Sequence, residues 1–188
     1  MKFKHENLRT GAKFSCKMKC GACNATTATR NKCRKRVCVG RKYCHIHRRK
    51  KLGLVVRQST IQGAGKGLFV TREFKKGSTI GRYAGEILSR VEHNRRYGGS
   101  DEDHGPYSLR TSNSGNRVVS SECKRGIMSM ANGTKRKSKA NARFVDKLRA
   151  DGTIRVEAIR RIKQNDEILI HYGRDYFKTA SNSRHTTS

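Results

Sequence analysis

The residues near the N-terminus whose types could support chemistry are cysteines and histidines. Six of the seven cysteines lie between Cys16 and Cys44. Zinc prefers four ligands in a tetrahedron of thiolate and imidazole groups, and a close pair such as Cys44 and His47 can supply one edge of it. Cys23 and Cys33 can supply the other edge across a loop. The spacing therefore predicts a zinc site formed by Cys23, Cys33, Cys44 and His47.

The other cysteines of this segment, Cys16, Cys20 and Cys38, are enough to help bind a second ion if another ligand joins them. In a reducing compartment, a dense Cys/His cluster is better interpreted as a metal site than as a set of disulfides. Residues 1–53 contain too few apolar side chains to fold without a metal ion. We therefore expect a zinc-stabilised, cysteine-rich module with one or two ions.

The chain is strongly basic, with 44 Lys and Arg residues against 14 Asp and Glu residues and a net charge of +30. Residues 1–53 alone hold 17 Lys and Arg residues and one acid, Glu6. Such a surface attracts polyanions, first DNA or RNA, then anionic membranes or virion polyanions. The clusters at 34–36 and 48–51 predict phosphate binding with little sequence preference, and the second is also typical of a nuclear import signal.

The sequence contains no apolar run of the 18 or more residues that a membrane span requires. The first residues also lack the apolar core of a signal peptide. We therefore expect a soluble, intracellular protein with no membrane partner.

Tyr172, near the other end of the chain, is the second candidate for chemistry. The apolar run Ile168–Ile170 predicts a strand, which places Tyr172 at a strand end beside Gly173. A glycine at that point lets the backbone turn or a ligand approach closely. A tyrosine there is more often structural than chemical, so its role depends on the elements that precede it.

Those elements are mainly strands, which predicts a mostly β fold. A tight turn at 63–67 carries three glycines and separates two of the strands, but it is not a dinucleotide-binding motif, because Leu68 replaces the last glycine and a strand follows. The apolar and alternating patterns predict strands at 54–56, 68–70, 79–87 as a pair, 153–159 and 168–170.

Several stretches in a particular order resemble the SET-domain protein lysine methyltransferases, most closely the short SET proteins of viruses and protists. They are Gly63–Phe69, Tyr83–Glu86, Met130–Thr134 with Asn141–Phe144, and Glu167–Gly173 with Asp175–Phe177. The resemblance covers roughly residues 54–177. It implies a β-clip fold in which the strand carrying Asn132 and the segment carrying Tyr172 thread together in a pseudoknot, an exception to unknotted topology. The run from Cys23 to His47 also resembles a small Cys3His finger found in basic proteins of protists and large DNA viruses.

The resemblance implies S-adenosylmethionine as the methyl donor and assigns roles to individual residues. Tyr172 is the expected catalytic residue. The chain departs from the family motif at Gly133, where the family has a histidine, and in a basic insertion at 135–139. The expected cofactor-binding residues are Ala64, Gly65, Lys66, Tyr107, Asn132 and Gly133, and the expected walls of the lysine channel are Tyr83, Phe144, Tyr176 and Phe177.

Three parts are therefore predicted: a zinc-binding module at 1–53, a SET methyltransferase domain at 54–177 and a flexible tail at 178–188. The expected function is methylation of histone lysines on chromatin, in the nucleus of the cell or host, or in the virion if the protein is viral. The alternative is a SET-fold protein that packages or binds nucleic acid with weak or no catalysis. A third possibility is methylation of a non-histone, lysine-rich protein. The sequence does not predict the oligomeric state.

Overall fold

The computed structural model describes residues 2–6, 13–40, 42–97, 107–110 and 115–172. Within these ranges the helices are α1 (His45–Leu52) and α2 (Arg90–Tyr97), neither long and apolar enough to cross a membrane. Two 3-10 turns are η1 (Ile127–Met130) and η2 (Lys137–Lys139). The strands confirm a mostly β fold: β1 (Lys2–Glu6), β2 (Lys13–Lys17), β3 (Gly21–Ala22), β4 (Arg36–Val37), β5 (Leu54–Gln58), β6 (Lys66–Val70), β7 (Thr79–Tyr83), β8 (Glu86–Ser89), β9 (Ser108–Leu109), β10 (Arg117–Ser120), β11 (Asn132–Gly133), β12 (Ala142–Leu148), β13 (Ile154–Ala158) and β14 (Leu169–Ile170).

The five-stranded sheet has the order β11–β14–β12–β13–β7. β12 and β7 flank β13 as antiparallel neighbours, whereas β14 runs parallel to both β11 and β12. β11 and β12 follow one another in the chain, so β14 enters between two consecutive strands. This is the threaded crossing that the family resemblance implies. It places Tyr172, two residues after β14, beside β11.

The remaining strands after residue 53 form a three-stranded sheet of order β8–β10–β9 and the antiparallel pair β5–β6. Each strand predicted from the apolar patterns is present, with ends that shift by at most two residues. In β13 the alternation is visible directly, since Ile154, Val156 and Ala158 are fully buried while the residues between them are only partly buried. A slip of one residue would exchange these faces, so the buried set fixes the register.

The core lies between these sheets and holds the threaded strand in place. Leu54, Leu68, Ile154, Ile168 and Ile170 are each no more than 1% exposed. Burial of one such side chain contributes about 1.5–3 kcal/mol. Ile168 and Ile170 belong to the segment around β14, and their burial therefore anchors the crossing on which the position of Tyr172 depends.

α1 connects the N-terminal segment to β5. Gly53 ends the helix in the left-handed conformation (φ 68°), and its N–H donates to the carbonyl of Arg49. A glycine at this position avoids the steric cost that a side chain would bring. The predicted boundary at 53/54 coincides with this helix end, and the separation into domains stays a prediction. The predicted tail, residues 178–188, lies outside the described residues.

The N-terminal segment packs on residues 120–126. Cys16 forms a disulfide with Cys123, and the backbone N–H of Lys19 donates to the carbonyl of Cys123 (2.8 Å). The N–H of Gly40 donates to the carbonyl of Arg125 (3.0 Å). The two parts of the chain are therefore joined covalently and through the backbone.

The disulfides correct one expectation. The sequence predicted that Cys16, Cys20 and Cys38 are available for a second metal ion, whereas the structure pairs Cys16 with Cys123 and Cys20 with Cys38. Their Cα atoms lie 5.9 and 4.1 Å apart, close enough for a bridge. The fold brings Cys123 to Cys16 across 107 residues of sequence, which no local spacing reveals.

Candidate functional site

Tyr172 lies at the end of β14, where the parallel pairing with β11 brings it against the chain just before Asn132. Its hydroxyl donates a hydrogen bond to the carbonyl of Ala131 (2.7 Å). Its ring stacks on that of Phe144, with centroids 5.9 Å apart and planes inclined by 7°. The phenol is thus fixed at both its hydroxyl and its ring.

Tyr83 extends this arrangement from the opposite edge of the sheet. Its ring meets Phe144 edge-on, with centroids 5.4 Å apart and an interplanar angle of 82°. Tyr83 is 4% exposed, and its hydroxyl donates to the backbone carbonyl of Tyr107. Tyr83, Phe144 and Tyr172 therefore form one continuous set of rings, called here the aromatic wall. The other two predicted channel residues, Tyr176 and Phe177, lie outside the described residues.

Tyr107 lies beside the aromatic wall. It has a φ of 60°, unusual for a residue with a side chain, and its carbonyl accepts from the hydroxyl of Tyr83 and from the N–H of Ser121 (2.8 Å). The guanidinium of Arg125 lies 3.8 Å from the centroid of its ring. The contacts described for Tyr107 are thus with the wall and the 120–126 segment. The cofactor contact expected for it stays a prediction.

Glu167 is the polar centre of the site, although no sequence motif assigns it a role. It is 6% exposed and lies directly before the apolar run that includes β14. One carboxylate oxygen accepts from Ser59 Oγ (2.7 Å) and Asn132 Nδ2 (2.9 Å). The other accepts from the backbone N–H (2.8 Å) and hydroxyl (2.5 Å) of Thr60. Burial alone raises the pKa of Glu167, but these hydrogen bonds outweigh it and hold the pKa below its ordinary value.

Asn132 lies where the glycine-containing turn meets the threaded strands. Besides Glu167, its amide nitrogen lies 3.0 Å from Ser59 Oγ and 3.2 Å from the carbonyl of Lys66. A Cβ atom at Gly67 would overlap the carboxylate of Glu167. Only glycine at position 67 allows β6 to approach this pair so closely.

The glycine-containing turn holds three of the predicted cofactor-binding residues, Ala64, Gly65 and Lys66. The N–H of Ser59 donates to the carbonyl of Gly65 (2.8 Å), which closes the turn. Gly65 has a φ of 66°, and no atom lies within 4 Å of the place where its Cβ would be. The backbone of the turn is therefore accessible from that side.

Gly133 replaces the family histidine but keeps the backbone geometry of the crossing. It pairs with Ile170 across the parallel strands, and the N–H of Thr134 donates to the carbonyl of Ile170 (2.9 Å). His171 Nδ1 lies 3.1 Å from the carbonyl of Thr134.

Asn141, the second asparagine of the motif, is buried and clamps the threaded segment. Its Nδ2 donates to the carbonyl of Glu167 (2.7 Å), and its Oδ1 accepts from the N–H of Leu169 (2.9 Å). These contacts give Asn141 a structural role. The signal that could have identified Asn141 and Glu167 is a polar residue directly beside an apolar strand, where only satisfied hydrogen bonds permit burial.

The structure also brings together the four predicted zinc ligands. The candidate ligand atoms of Cys23, Cys33, Cys44 and His47 all lie within 4.8 Å of one another. His47 Nδ1 is 3.5 Å from Cys23 Sγ and 3.3 Å from Cys44 Sγ. A tetrahedral zinc ion requires sulfur–nitrogen edges of about 3.5 Å. The residues therefore fit a Cys3His metal site.

The environment of these thiols favours metal binding. Burial opposes ionisation of Cys23, but hydrogen bonds from the backbone of Cys44 and Ala25 outweigh it and lower the pKa to about 6. At Cys33 a backbone hydrogen bond at Lys35 favours ionisation, yet burial and the neighbouring thiols together raise its pKa. Three close thiolates repel one another, and a bound cation would remove that repulsion.

Arg48 departs from its expected place in a surface cluster. It is 7% exposed, and its guanidinium donates to the carbonyl of Val39 (3.2 Å). Arg49, Lys50 and Lys51 remain exposed. The basic cluster at 48–51 therefore offers three surface cations rather than four.

The residues around Asn132 also fit a small cationic cofactor. The open turn at Gly65 leaves room beside the backbone, and the carbonyl of Ala131 and the aromatic wall provide the electron-rich groups that a sulfonium ion favours. The basic insertion at 135–139 starts beyond Thr134, so it lengthens the loop without interrupting the pairing of β11 with β14.

A model of the SET domain matches residues 65–173, more than half of the chain. No curated protein matches the sequence. Among solved structures, the active polycomb repressive complex 2 in the stimulated state is 22% identical, with a TM-score of 0.52 over 64% of this chain and 15% of that chain. The polycomb repressive complex 2 of Chaetomium thermophilum is also 22% identical, with a TM-score of 0.52 over 64% of this chain and 15% of that chain.

The Chaetomium thermophilum complex in an autoinhibited conformation bound to S-adenosylmethionine is 21% identical, with a TM-score of 0.53 over 70% of this chain and 17% of that chain. The likeness to these structures is one of fold. The match spans 15% to 17% of the length of their chains. The match over residues 65–173 agrees with the threaded strand and the order of the motifs, and this chain belongs to the SET domain family.

Proposed function

We propose that the protein is an S-adenosylmethionine-dependent protein lysine methyltransferase that acts on chromatin and modifies histone lysines. The observation that carries the proposal is the position of Tyr172, whose hydroxyl is held at the carbonyl of Ala131 and whose ring stacks on Phe144. Membership of the SET domain family supports the reaction class. The S-adenosylmethionine bound to one structure of the same fold favours the same donor here.

When bound, S-adenosylmethionine supplies an electrophilic methyl group on a positively charged sulfur. The residues that would hold it are Ala64, Gly65 and Lys66 of the turn, with Asn132 and Gly133 opposite them. Glu167 serves this set indirectly, since it fixes Asn132 and the start of the turn through Ser59 and Thr60. Fixed donors and acceptors reduce the reorganisation needed when a ligand binds.

The substrate lysine must arrive as a free amine, although its ordinary pKa of about 10.4 keeps it almost entirely protonated at neutral pH. The aromatic wall removes water from the lysine stem and accommodates its cationic head before the proton leaves to solvent. The hydroxyl of Tyr172 and the carbonyl of Ala131 would orient the amine, and their oxygens would offer weak CH···O contacts to the methyl group of the donor. Alignment of the reacting atoms supplies most of the rate acceleration.

The basic N-terminal segment gives the proposal its chromatin component. Arg34, Lys35 and Arg36 are exposed beside the buried Cys33, and a zinc ion at the Cys3His cluster would hold them as one rigid unit. Such a unit binds phosphates in a salt-sensitive way. Attachment to DNA raises the local concentration of histone lysines near Tyr172. It also suits a location in the nucleus, or in a virion if the protein is viral.

The first test is calorimetric titration of the zinc-loaded protein with S-adenosylmethionine and with its demethylated product, followed by mass spectrometry of lysines in histones and nucleosomes. We expect micromolar binding that Asn132→Ala abolishes, and transfer of methyl groups to histone lysines. A folded protein that binds neither compound would refute the proposal. It would support the alternative, a SET-fold protein that binds or packages nucleic acid, which the +30 charge and Gly133 favour. Methylation of lysine-rich proteins other than histones would keep the reaction and replace the substrate.

A further inference from the structure

The loop between β11 and β12 carries a concentrated positive charge that the proposed reaction does not use. Lys135, Arg136, Lys137 and Lys139 are all exposed, and they occupy four of five consecutive positions. Arg160, also exposed, packs on the same loop. We call these five residues the basic ridge.

The basic ridge is an ordered turn. Its 3-10 turn is closed by hydrogen bonds from the N–H of Lys139 to the carbonyl of Arg136 (2.9 Å) and from the N–H of Ala140 to that of Lys137 (3.2 Å). The guanidinium of Arg160 donates to the carbonyls of Ser138 (3.0 Å) and Lys139 (2.9 Å). Arg160 therefore stabilises the conformation of the loop and adds its own positive charge to that of the loop.

Part of the charge of the ridge has no compensation within the described part of the protein. Arg136, Lys137 and Lys139 make no ion pair with a carboxylate of the described residues. Other cations of the same half do pair, for example Arg143 with Glu157 (3.0 Å) and Arg161 with Glu73 (2.5 Å). Like charges within one turn repel one another, so the ridge is stabilised when a polyanion binds it.

The ridge lies next to the candidate active site. Thr134, which directly precedes it, is bonded through its backbone to Ile170 and lies 3.1 Å from His171 Nδ1. His171 is the neighbour of Tyr172. A polyanion bound to the ridge would therefore lie near the end of β14 that carries Tyr172.

We propose that the basic ridge binds the phosphodiester backbone of a nucleic acid. Resting on the proposed function, the inference extends to the substrate: the preferred target is a lysine-rich protein already bound to nucleic acid, rather than a free peptide. Fixed cations at a rigid turn fit regularly spaced phosphates, and contacts of this kind carry little sequence preference.

The test compares two variants of the full-length protein that lose the same charge. The ridge variant carries Lys135→Gln, Arg136→Gln, Lys137→Gln and Lys139→Gln. The control carries Lys75→Gln, Lys76→Gln, Lys147→Gln and Arg149→Gln at exposed positions elsewhere. Circular dichroism and thermal unfolding establish that both variants are folded.

Binding to a duplex DNA and to a single-stranded RNA is then measured over a range of salt concentrations. Each phosphate contact contributes about 0.9 to the slope of log K against log salt for duplex DNA and about 0.7 for a single strand. We expect the ridge variant to lose about two to four units of slope on one or both nucleic acids, and the control less than about one. The nucleic acid for which the ridge variant loses more slope, DNA or RNA, is the one whose phosphates the ridge binds.

Equal losses in the two variants, or no loss in the ridge variant, would overturn the proposal. So would loss of binding to an acidic polypeptide, such as polyglutamate, with unchanged nucleic-acid binding, because the partner would then be an acidic protein surface. Methylation is assayed separately on a free histone peptide and on nucleosomes. The ridge variant should keep kcat/KM on the peptide and lose about tenfold or more on nucleosomes. Equal rates of the ridge variant and the control on nucleosomes would overturn the inference about the substrate. Absence of methylation by the wild type and by both variants would refute the proposed function. The salt dependence of binding would still decide whether the ridge binds nucleic acid.

Discussion

The side-chain amide nitrogen of Asn132 lies 2.9 Å from Oε1 of Glu167, and the two residues are 35 positions apart in the sequence. The same carboxylate binds Ser59 and Thr60. One buried acid therefore joins the strand that carries Asn132, the glycine-containing turn and the threaded strand β14. The predicted cofactor site depends on Glu167 even where Glu167 does not touch the cofactor.

Glu167→Gln should destabilise the fold and weaken cofactor binding. The substitution turns one carboxylate oxygen into a donor that faces the donors of Ser59, Thr60 or Asn132, at a cost of about 1–3 kcal/mol for a buried group. Urea unfolding at neutral pH measures the loss, and calorimetry with S-adenosylmethionine measures the change in affinity. Glu73→Gln is the matched control, because Glu73 forms an exposed ion pair with Arg161.

The pH dependence of stability supplies a second measurement. The pKa of Glu167 is lowered in the folded protein, so its stabilisation is complete above the ordinary carboxyl pKa and is lost as the pH falls through the lowered value. The wild-type protein should therefore lose more stability on acidification than Glu167→Gln does. Parallel losses in the two proteins would contradict the role given to this carboxylate.

Tyr172→Phe should lower turnover by about two orders of magnitude or more while leaving the affinity for S-adenosylmethionine nearly unchanged. The variant keeps the stack on Phe144 and loses only the hydroxyl that bonds to Ala131. Single-turnover methylation and calorimetry separate the two quantities. Tyr43→Phe, in the N-terminal segment, controls for loss of a tyrosine hydroxyl as such. Near-normal turnover by Tyr172→Phe would remove the phenol from the chemistry.

The strands could be predicted from the sequence because they depend on local patterns. Alternation around Val156 marks β13, and the apolar run at 168–170 marks the strand before Tyr172. The family resemblance implied that Tyr83, Phe144 and Tyr172 share one site, and in the structure the ring of Phe144 contacts the rings of both tyrosines. The spacing of Cys23, Cys33, Cys44 and His47 likewise sufficed for the Cys3His cluster.

Other features depend on the packing of distant segments, which the sequence does not encode locally. Ser59 and Thr60 reach Glu167 across more than 100 residues, and Cys16 reaches Cys123 across 107. Arg48 looks like its exposed basic neighbours in the sequence, yet the fold buries it and its guanidinium donates to the carbonyl of Val39. Composition and spacing describe none of these pairings.

His47→Ala should abolish stoichiometric zinc binding and destabilise the N-terminal segment. The substitution removes one of four ligands, and a three-thiolate site retains much weaker zinc affinity. Elemental analysis of purified protein and native mass spectrometry give the metal content. His45→Ala is the matched control, because His45 is a neighbouring exposed histidine outside the cluster. Full zinc content in His47→Ala would show that another residue completes the site.

Cys123→Ser should lower the free energy of unfolding by about 2–4 kcal/mol under non-reducing conditions. The disulfide of Cys16 with Cys123 spans 107 residues and joins the N-terminal segment to the segment that carries Arg125. Urea unfolding with and without a dithiol reductant measures the effect. The wild-type protein should lose more stability on reduction than the variant does. Equal sensitivity to the reductant would mean that this bridge does not contribute.

Neutralising the basic cluster of the N-terminal segment should weaken nucleic-acid binding without unfolding the protein. Deleting residues 1–53 is a poor test, because deletion also removes the disulfide to Cys123 and the hydrogen bond from Gly40 to Arg125, which stacks on Tyr107. The triple substitution Arg34→Gln, Lys35→Gln and Arg36→Gln changes only exposed side chains. We expect the slope of log K against log salt on duplex DNA to fall by about two to three.

The matched control for this cluster is Lys75→Gln, Lys76→Gln and Arg149→Gln, which removes three exposed cations from another surface. Because the cysteine cluster holds Cys33 beside the substituted residues, zinc content must be unchanged for the comparison to be valid. A fall in slope confined to the cluster variant would locate phosphate contacts on the N-terminal segment. An unchanged slope would instead exclude phosphate contacts at residues 34–36 and leave the exposed cations Arg49, Lys50 and Lys51 and the basic ridge as the candidate contacts among the described residues.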